Sequence, residues 1–149
     1  MKKIKPYTYN GYQLIAQRIG ESKQSEKLDS PNAAYKAIRD NFIGLTQEAM
    51  YVFCLNTNNR IIGSTMVSLG ILNTSLCHPR EVFKPAILMS AASVIIAHNH
   101  PSGNTEPSED DIKVTRQLVE AGKILGITVF DHLVVTENDY TSLLERGLL

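Results

Sequence analysis

The strongest constraint on the fold lies in residues 93–111, where an apolar run leads into two histidines and a turn-rich segment. Residues 93–97 are dominated by β-branched side chains and are bounded by turn formers, which predicts a buried strand. Side chains at positions i and i+2 of a strand point to the same face, so His98 and His100 should leave the sheet on one side. The sequence therefore predicts two neighbouring imidazoles at the end of a strand.

The segment after the histidines predicts a loop and then the start of a helix. Pro101, Gly103 and Pro107 break regular structure. Ser108 is followed by three acidic residues, a pattern typical of an N-cap and an acidic first helical turn. The loop should therefore bring the carboxylate of Asp111 back towards the histidines.

Two imidazoles and one carboxylate form a ligand set that Zn²⁺ accepts, and catalytic zinc sites keep three protein ligands and one water. His98, His100 and Asp111 supply three such ligands, so the pattern predicts a site for one Zn²⁺ ion. Each residue also has a structural explanation. Asp111 would stabilise a helix N-terminus, and the histidines would be polar residues of a surface loop. The combination at fixed offsets favours the metal site.

The composition fits one globular domain without a strong electrostatic preference. The 149 residues, 43% of them hydrophobic, suffice for one substantial core. Fifteen basic and fifteen acidic residues cancel, so no overall charge attracts this protein to nucleic acid or to an anionic membrane, although a local basic patch stays open. No stretch approaches the ~20 apolar residues of a membrane span, and no signal peptide is recognisable. Cys54 and Cys77 are interpreted as buried free thiols, which favours a reducing, cytoplasmic location.

The chain divides into an N-terminal arm, residues 1–29, and a domain, residues 30–149. Capping signals and hydrophobic periodicity predict an α/β domain with a mixed β-sheet flanked by helices. The expected helices are 31–43, 79–92 and 109–125, the expected strands are 49–55, 60–68, 93–97 and 127–135, and residues 140–149 form a short helix or strand. The helical residues predicted to face the core are Ala34, Ile38, Phe42, Val82, Phe83, Ala86, Met89, Ile112, Thr115, Leu118, Val119, Gly122 and Leu125. Lysines and tyrosines in the arm could bind single-stranded nucleic acid, but an arm packed on the domain is the plainer interpretation.

At these residues the chain resembles a known family. His98-x-His100, seven residues, Ser108, two residues and Asp111 match the JAMM metalloprotease motif of JAB1/MPN domains. The string His-Asn-His-Pro-Ser-Gly is similar to the RadC branch, with further matches at residues 77–83 and 131–132. The resemblance covers roughly residues 31–149 and implies the JAB1/MPN fold, which is similar to that of cytidine deaminases. Longer RadC relatives carry a helix-hairpin-helix module, and we expect this chain to be a stand-alone form without it.

The resemblance also implies residue roles and a reaction. The reaction would be zinc-dependent hydrolysis of a peptide or isopeptide bond through a metal-activated water, with a peptide or protein as substrate. Glu48 lies where JAMM proteins carry their catalytic glutamate and would act as general base and acid. Ser108 would stabilise the oxyanion. From the residues alone, a solvated strand-end carboxylate is the favoured interpretation of Glu48, and helix capping is the alternative for Ser108.

Other interpretations stay open at this point. Two histidines and a carboxylate also form the ligand set of non-haem iron enzymes. A non-enzymatic or accessory module in DNA repair or mobile-element biology is a further alternative, whereas the signature of zinc deaminases is absent. Asp131 and His132 could lie beside the metal site or in the substrate groove. They could also be a structural pair whose hydrogen bonds are satisfied within the core. His78 is interpreted as a capping or packing residue, and the sequence predicts no particular oligomeric state.

Overall fold

The computed structural model describes residues 7–9, 12–14, 25–70 and 77–149. The strands are β1 (Tyr7–Tyr9), β2 (Tyr12–Leu14), β3 (Ala49–Leu55), β4 (Ile61–Leu69), β5 (Ser93–Asn99), β6 (Thr128–Val135) and β7 (Tyr140–Ser142). The helices are α1 (Pro31–Ile38), with a 3-10 turn at Arg39–Phe42, α2 (Pro79–Leu88) and α3 (Glu109–Leu125). β1 and β2 pair antiparallel with each other. Much of the N-terminal arm predicted for residues 1–29 lies outside the described residues.

Strands β3 to β7 form a mixed sheet in the order β4-β3-β5-β6-β7. β3 pairs antiparallel with both of its neighbours, and β6 pairs antiparallel with β7. β5 and β6 are parallel. A parallel pair needs a crossover connection, and α3 supplies it. The mixed α/β architecture predicted from the sequence, including the β3–β4 hairpin, is therefore confirmed.

Alternation along β3 and β5 divides the core between the two faces of the sheet. The cluster under α2 and α3 includes Met50, Val52, Cys54, Val94 and Ile96. The cluster under α1 includes Phe53, Leu55, Ile95, Ala97 and Leu133. Every residue of β5 is buried, as expected for a strand covered on both faces. The end of β5 therefore emerges from the centre of the domain.

The predicted start and inward face of α1 are correct, but its end is not. The Ser30 hydroxyl accepts a hydrogen bond from the Ala33 N–H at 3.2 Å, which caps the helix. Ala34, Ile38 and Phe42 are buried. The α-helix ends at Ile38 and is followed by the 3-10 turn, whereas the prediction continued the helix to residue 43.

Helix α2 ends at Leu88, before the predicted end at residue 92. Ser90 has a φ of 53°, a left-handed conformation in which a helix cannot continue. Of the residues predicted to face the core, Val82, Phe83 and Ala86 are buried. Met89 is 37% exposed, so its predicted inward orientation is wrong.

Helix α3 has the predicted bounds and ends at Gly126, whose φ of 69° is left-handed. Its buried residues are Asp111, Val114, Thr115, Leu118 and Gly122. Leu125 is 47% exposed, contrary to the prediction, because the chain turns at Gly126 and Ile127 is the residue buried there. Within the described ranges, we find no helix that combines the length and the apolar character needed to cross a membrane.

Candidate metal centre

His98 and His100 lie at the end of the central strand β5. His98 is fully buried on the face that α2 and α3 cover, opposite Met50 of β3. His100 directly follows β5, and its N–H donates to the Val135 carbonyl at 3.1 Å, which continues the pairing with β6. The Nε2 atoms of the two histidines are 3.0 Å apart. The structure thus brings both imidazoles to one side of the sheet, as the i, i+2 spacing predicts.

Asp111 reaches the histidines from the first turn of α3. The Ser108 hydroxyl accepts from the Asp111 N–H at 3.1 Å, and Asp111 Oδ2 accepts from the Ser108 N–H at 2.7 Å, a reciprocal capping box. This cap holds the carboxylate in place. Asp111 Oδ1 lies 3.2 Å from His98 Nε2, and Oδ2 lies 3.4 Å from His100 Nε2.

The distances within this group fit one metal ion. One ligand atom from each of His98, His100 and Asp111 can be chosen so that all lie within 4.8 Å of one another. With zinc–ligand bonds of about 2.0–2.1 Å and tetrahedral angles, ligand atoms are about 3.3 Å apart. The two Nε2 atoms are 3.0 Å apart, Asp111 Oδ1 is 3.2 Å from His98 Nε2, and Asp111 Oδ2 is 3.4 Å from His100 Nε2. Imidazole and carboxylate ligands suit several divalent transition metals.

The contacts within the group favour an ionised carboxylate. Burial alone would raise the pKa of Asp111, but hydrogen bonds with His100 and His98 outweigh it and hold this pKa well below its ordinary value. The hydrogen bond with Asp111 raises the pKa of His100, although burial opposes this. Asp111 is therefore a carboxylate at neutral pH, the form that binds a cation.

The proton on His100 can be placed from its second nitrogen. His100 Nδ1 lies 2.7 Å from the Asn104 carbonyl oxygen. A carbonyl oxygen only accepts hydrogen bonds, so Nδ1 must carry the proton. In the neutral imidazole, Nε2 then carries a lone pair that can bind a metal ion, whereas the hydrogen bond from Nε2 to Asp111 belongs to the protonated form of His100. A metal-binding imidazole needs this tautomer.

Glu48 immediately precedes β3 and lies at the edge of the histidine cluster. Met50 pairs with His98 across the antiparallel strands, and extending this register by two residues sets Glu48 opposite His100. Opposed residues in such a pair share a face, with Cβ atoms about 4.5–5.5 Å apart. After the hydrogen bond with Asp111, the negative charge of Glu48 also raises the pKa of His100. The structure therefore brings the predicted catalytic carboxylate to the cluster.

Asn99 fixes the backbone on both sides of Glu48. Its Oδ1 accepts from the Ala49 N–H at 2.7 Å, and its Nδ2 donates to the Gln47 carbonyl at 3.0 Å. Asn99 is only 5% exposed, so water does not readily replace these bonds. Sequence reasoning gave Asn99 no role, and its position between the two histidines was the available signal.

Ser108 is a helix cap in this structure, as its structural interpretation predicted. The cap uses a lone pair of the hydroxyl oxygen to accept from the Asp111 N–H. The hydroxyl proton remains available for donation to another group, because a serine hydroxyl both donates and accepts. Capping and donation to an oxyanion are therefore compatible in one side chain.

Asp131 and His132 have different surroundings, although they are adjacent in sequence. Asp131 accepts hydrogen bonds from the Ser142 hydroxyl and from the N–H groups of His132 and Leu144, so it is a satisfied structural residue. Burial raises its pKa. His132 is fully buried beside His98, and burial lowers its pKa well below the ordinary value, which keeps the imidazole neutral. Asp131 is therefore a structural residue, whereas His132 is a neighbour of the candidate metal site.

A cleft of about 720 Å³ opens beside His100. One wall consists of residues within 39–45, and the other is the loop 136–139. Its volume lies within the range of about 300–1,000 Å³ that is usual for ligand-binding clefts. Of the three candidate ligands, His100 lines this cleft.

These observations define the class of protein: a mixed α/β domain with a two-histidine, one-carboxylate group, able to hold a metal ion, at the end of its central strand. A family model described as RadC-like JAB domain matches residues 28–148. The chain therefore belongs to the RadC-like JAB domain family. Its five-stranded mixed sheet with flanking helices is the JAB/MPN fold.

Individual relatives agree with this family assignment. A UPF0758 protein of Moorella thermoacetica is 52% identical over 120 residues, which are 80% of this chain and 52% of the relative. A UPF0758 protein of Methanococcoides burtonii is 46% identical over 123 residues, 83% of this chain and 54% of the relative. The chain spans about half the length of the curated relatives it matches. Their names state no activity.

Proposed function

We propose that this domain is a metal-dependent hydrolase of the JAMM type, which cleaves a peptide or isopeptide bond with one Zn²⁺ ion held by His98, His100 and Asp111. The observation that carries the proposal is the convergence of the three side chains. The two Nε2 atoms are 3.0 Å apart, and each lies 3.2–3.4 Å from one of the two carboxylate oxygens of Asp111. A bound Zn²⁺ supplies Lewis acidity and lowers the pKa of a water in its open coordination position to about 7.

Different residues around the cluster carry out the proton transfers and the stabilisation of negative charge. Glu48, opposite His100, accepts the proton of the attacking water and returns it to the leaving amine. The Ser108 hydroxyl donates to the oxygen that becomes negative on the attacked carbonyl. Asn99 positions Glu48 through the hydrogen bonds to Gln47 and Ala49. These roles of Glu48 and Ser108 are predictions.

We also propose that the partner is a peptide or protein segment and that the protein works in a reducing compartment, the cytoplasm. The cleft of about 720 Å³ that His100 lines supports the first point. Two buried free thiols, Cys54 and Cys77, support the second.

Elemental analysis of purified protein tests the ligand assignment. We expect wild-type protein to contain one zinc per chain and the variants His98→Ala, His100→Ala and Asp111→Asn to lose it. Asp111→Asn is preferred to alanine because the amide oxygen can still cap α3. The matched control is His78→Ala, since His78 is exposed and its Nδ1 accepts from the Arg80 N–H. Equal zinc content in all variants would remove the assignment, and bound iron would favour a non-haem iron enzyme.

A Glu48→Gln variant separates metal binding from hydrolysis. We expect it to keep its zinc and to lose about 10²–10⁴-fold in turnover, because the amide cannot accept the water proton. The substrates are pools of linear peptides and of peptides branched through a lysine isopeptide bond, with cleavage followed by mass spectrometry. Unchanged turnover would place the base elsewhere, and no cleavage by zinc-loaded wild-type protein would contradict the hydrolase proposal.

A further inference from the structure

Behind His98, on the side away from His100, Thr115 and His132 form a buried hydrogen-bonded chain. We propose that this chain fixes the proton of His98 on Nδ1 and thereby keeps Nε2 of His98 available as a metal ligand. Thr115 and His132 are thus positioning residues. The inference rests on the proposed metal site but does not depend on the proposed hydrolysis.

The chain has three contacts and links two of the three candidate ligands. Thr115 Oγ1 donates to the Asp111 backbone carbonyl at 2.6 Å. Thr115 Oγ1 also lies 2.5 Å from His132 Nδ1, and His132 Nε2 lies 2.7 Å from His98 Nδ1. Thr115, His132 and His98 are all fully buried. No water can therefore substitute for a missing partner without rearrangement of the core.

The Asp111 carbonyl fixes the direction of every hydrogen bond in the chain. A carbonyl oxygen only accepts, so the single hydroxyl proton of Thr115 points to it. The Thr115 oxygen must then accept from a protonated His132 Nδ1. A neutral imidazole carries one N–H, which leaves His132 Nε2 as an acceptor for the Nδ1–H of His98. Nε2 of His98 is then without a proton. It lies 3.0 Å from His100 Nε2 and 3.2 Å from Asp111 Oδ1, a group of acceptors that a cation would stabilise.

The opposite direction conflicts with the geometry. If Thr115 donated to His132 Nδ1, its oxygen and the Asp111 carbonyl oxygen would face each other at 2.6 Å without a proton between them. His132 would then donate to His98 Nδ1, and the His98 proton would move to Nε2. That proton would occupy the lone pair with which His98 binds a metal.

A β-bulge places His132 in this chain. Val94 pairs with Val129, but the next residue, Ile95, pairs with Asp131, so Phe130 is an extra residue in β6. Val129 packs in the cluster under α3, whereas Leu133 packs in the cluster under α1. Strict alternation from Val129 would have turned His132 towards α1. The bulge reverses the alternation and directs His132 towards His98 and α3.

Matched substitutions at Thr115 test the chain by metal affinity, which is measured without reference to catalysis. Thr115→Val keeps the shape but removes the hydroxyl, so His132 is no longer held in the Nδ1–H form. We expect zinc affinity, measured by competition with a chelating indicator, to fall about 10–100-fold. Thr115→Ser retains the hydroxyl and should bind zinc as wild-type protein does. Equal affinity of the valine and serine variants would overturn the proposal.

The proton positions can also be measured directly in unaltered protein. Imidazole ¹⁵N shifts of zinc-loaded wild-type protein should show His98 and His132 both protonated on Nδ1. Protonation of His132 on Nε2 would overturn the chain even if Thr115→Val fails to fold. The metal site itself is tested separately. Failure of wild-type protein to bind zinc would contradict the metal site. If wild-type protein binds zinc and the two Thr115 variants bind it with equal affinity, only the hydrogen-bonded chain is contradicted.

Discussion

Asp111 combines two tasks in one short side chain. Oδ2 accepts from the Ser108 N–H and completes the cap of α3, while Oδ1 faces His98 Nε2. The helix N-terminus also favours a negative charge at this position. The local helix start therefore positions the carboxylate of the candidate metal site, and substitution of Asp111 by alanine would remove the cap together with the ligand.

At the same scale, Asn99 allows a prediction about stability. Asn99→Ala leaves the Ala49 N–H and the Gln47 carbonyl without their buried partner. We expect the free energy of unfolding, measured with urea, to fall by about 1–3 kcal/mol. The control Asn138→Ala changes an exposed asparagine in the cleft wall and should stay within about 0.5 kcal/mol of wild-type protein. Equal effects at both positions would contradict a structural role for the Asn99 amide.

At the scale of elements, Gly122 is the point where α3 lies against Phe83 of α2 and against Ile127, just before β6. A methyl group at Gly122 would lie 2.4 Å from the Ile127 carbonyl oxygen and 3.2 Å from the Phe83 ring. A methyl group at Gly63 in β4 would also meet an atom at 2.4 Å, but that atom is the sulfur of Met89. A methionine side chain can rotate away, whereas the backbone between α3 and β6 cannot.

The two glycines should therefore respond differently to the same substitution. We expect Gly122→Ala to lower the free energy of unfolding by about 1–3 kcal/mol, because the strain of overpacking exceeds the better helix propensity of alanine. Gly63→Ala should change it by less than about 0.5 kcal/mol. Thermal and urea unfolding of both variants provide the measurement. A stabilised Gly122→Ala would show that α3 can shift away from β6.

At the scale of the whole molecule, the buried thiols make stability depend on alkaline pH. Burial raises the pKa of Cys54 and of Cys77 from 9.0 to about 11. The folded protein thus holds these protons more tightly than the unfolded chain. The stability that results is complete below about pH 9 and is lost as the pH rises towards 11.

We expect the free energy of unfolding to decline between about pH 9 and pH 11 in wild-type protein. The double variant Cys54→Ala, Cys77→Ala should decline less steeply over the same range, because it lacks both thiols. The comparison concerns the slope, since the alanines also change the absolute stability by leaving space in the core. Identical slopes would mean that other groups cause the alkaline decline.

The sequence determined the features that depend on neighbouring residues. The strand that ends in His98, the cap at Ser108 and the helix that brings back Asp111 follow from side-chain alternation and from capping chemistry, which act over a few residues. For this reason the ligand group, the mixed α/β class and the bounds of α3 could be predicted. The catalytic roles of Glu48 and Ser108 rest on family resemblance and stay predictions.

The tertiary structure decided the features that depend on distant residues. Pairing of β3 with β5 brings Glu48, the residue before β3, close to His100, and a bulge in β6 turns His132 towards His98. A helical or alternating sequence pattern predicts neither the register nor the bulge. The register of two strands depends on which segments meet after folding, and one extra residue reverses the direction of every following side chain. The sequence alone thus determined the candidate ligand group, and the packing of the sheet determined the residues that surround it.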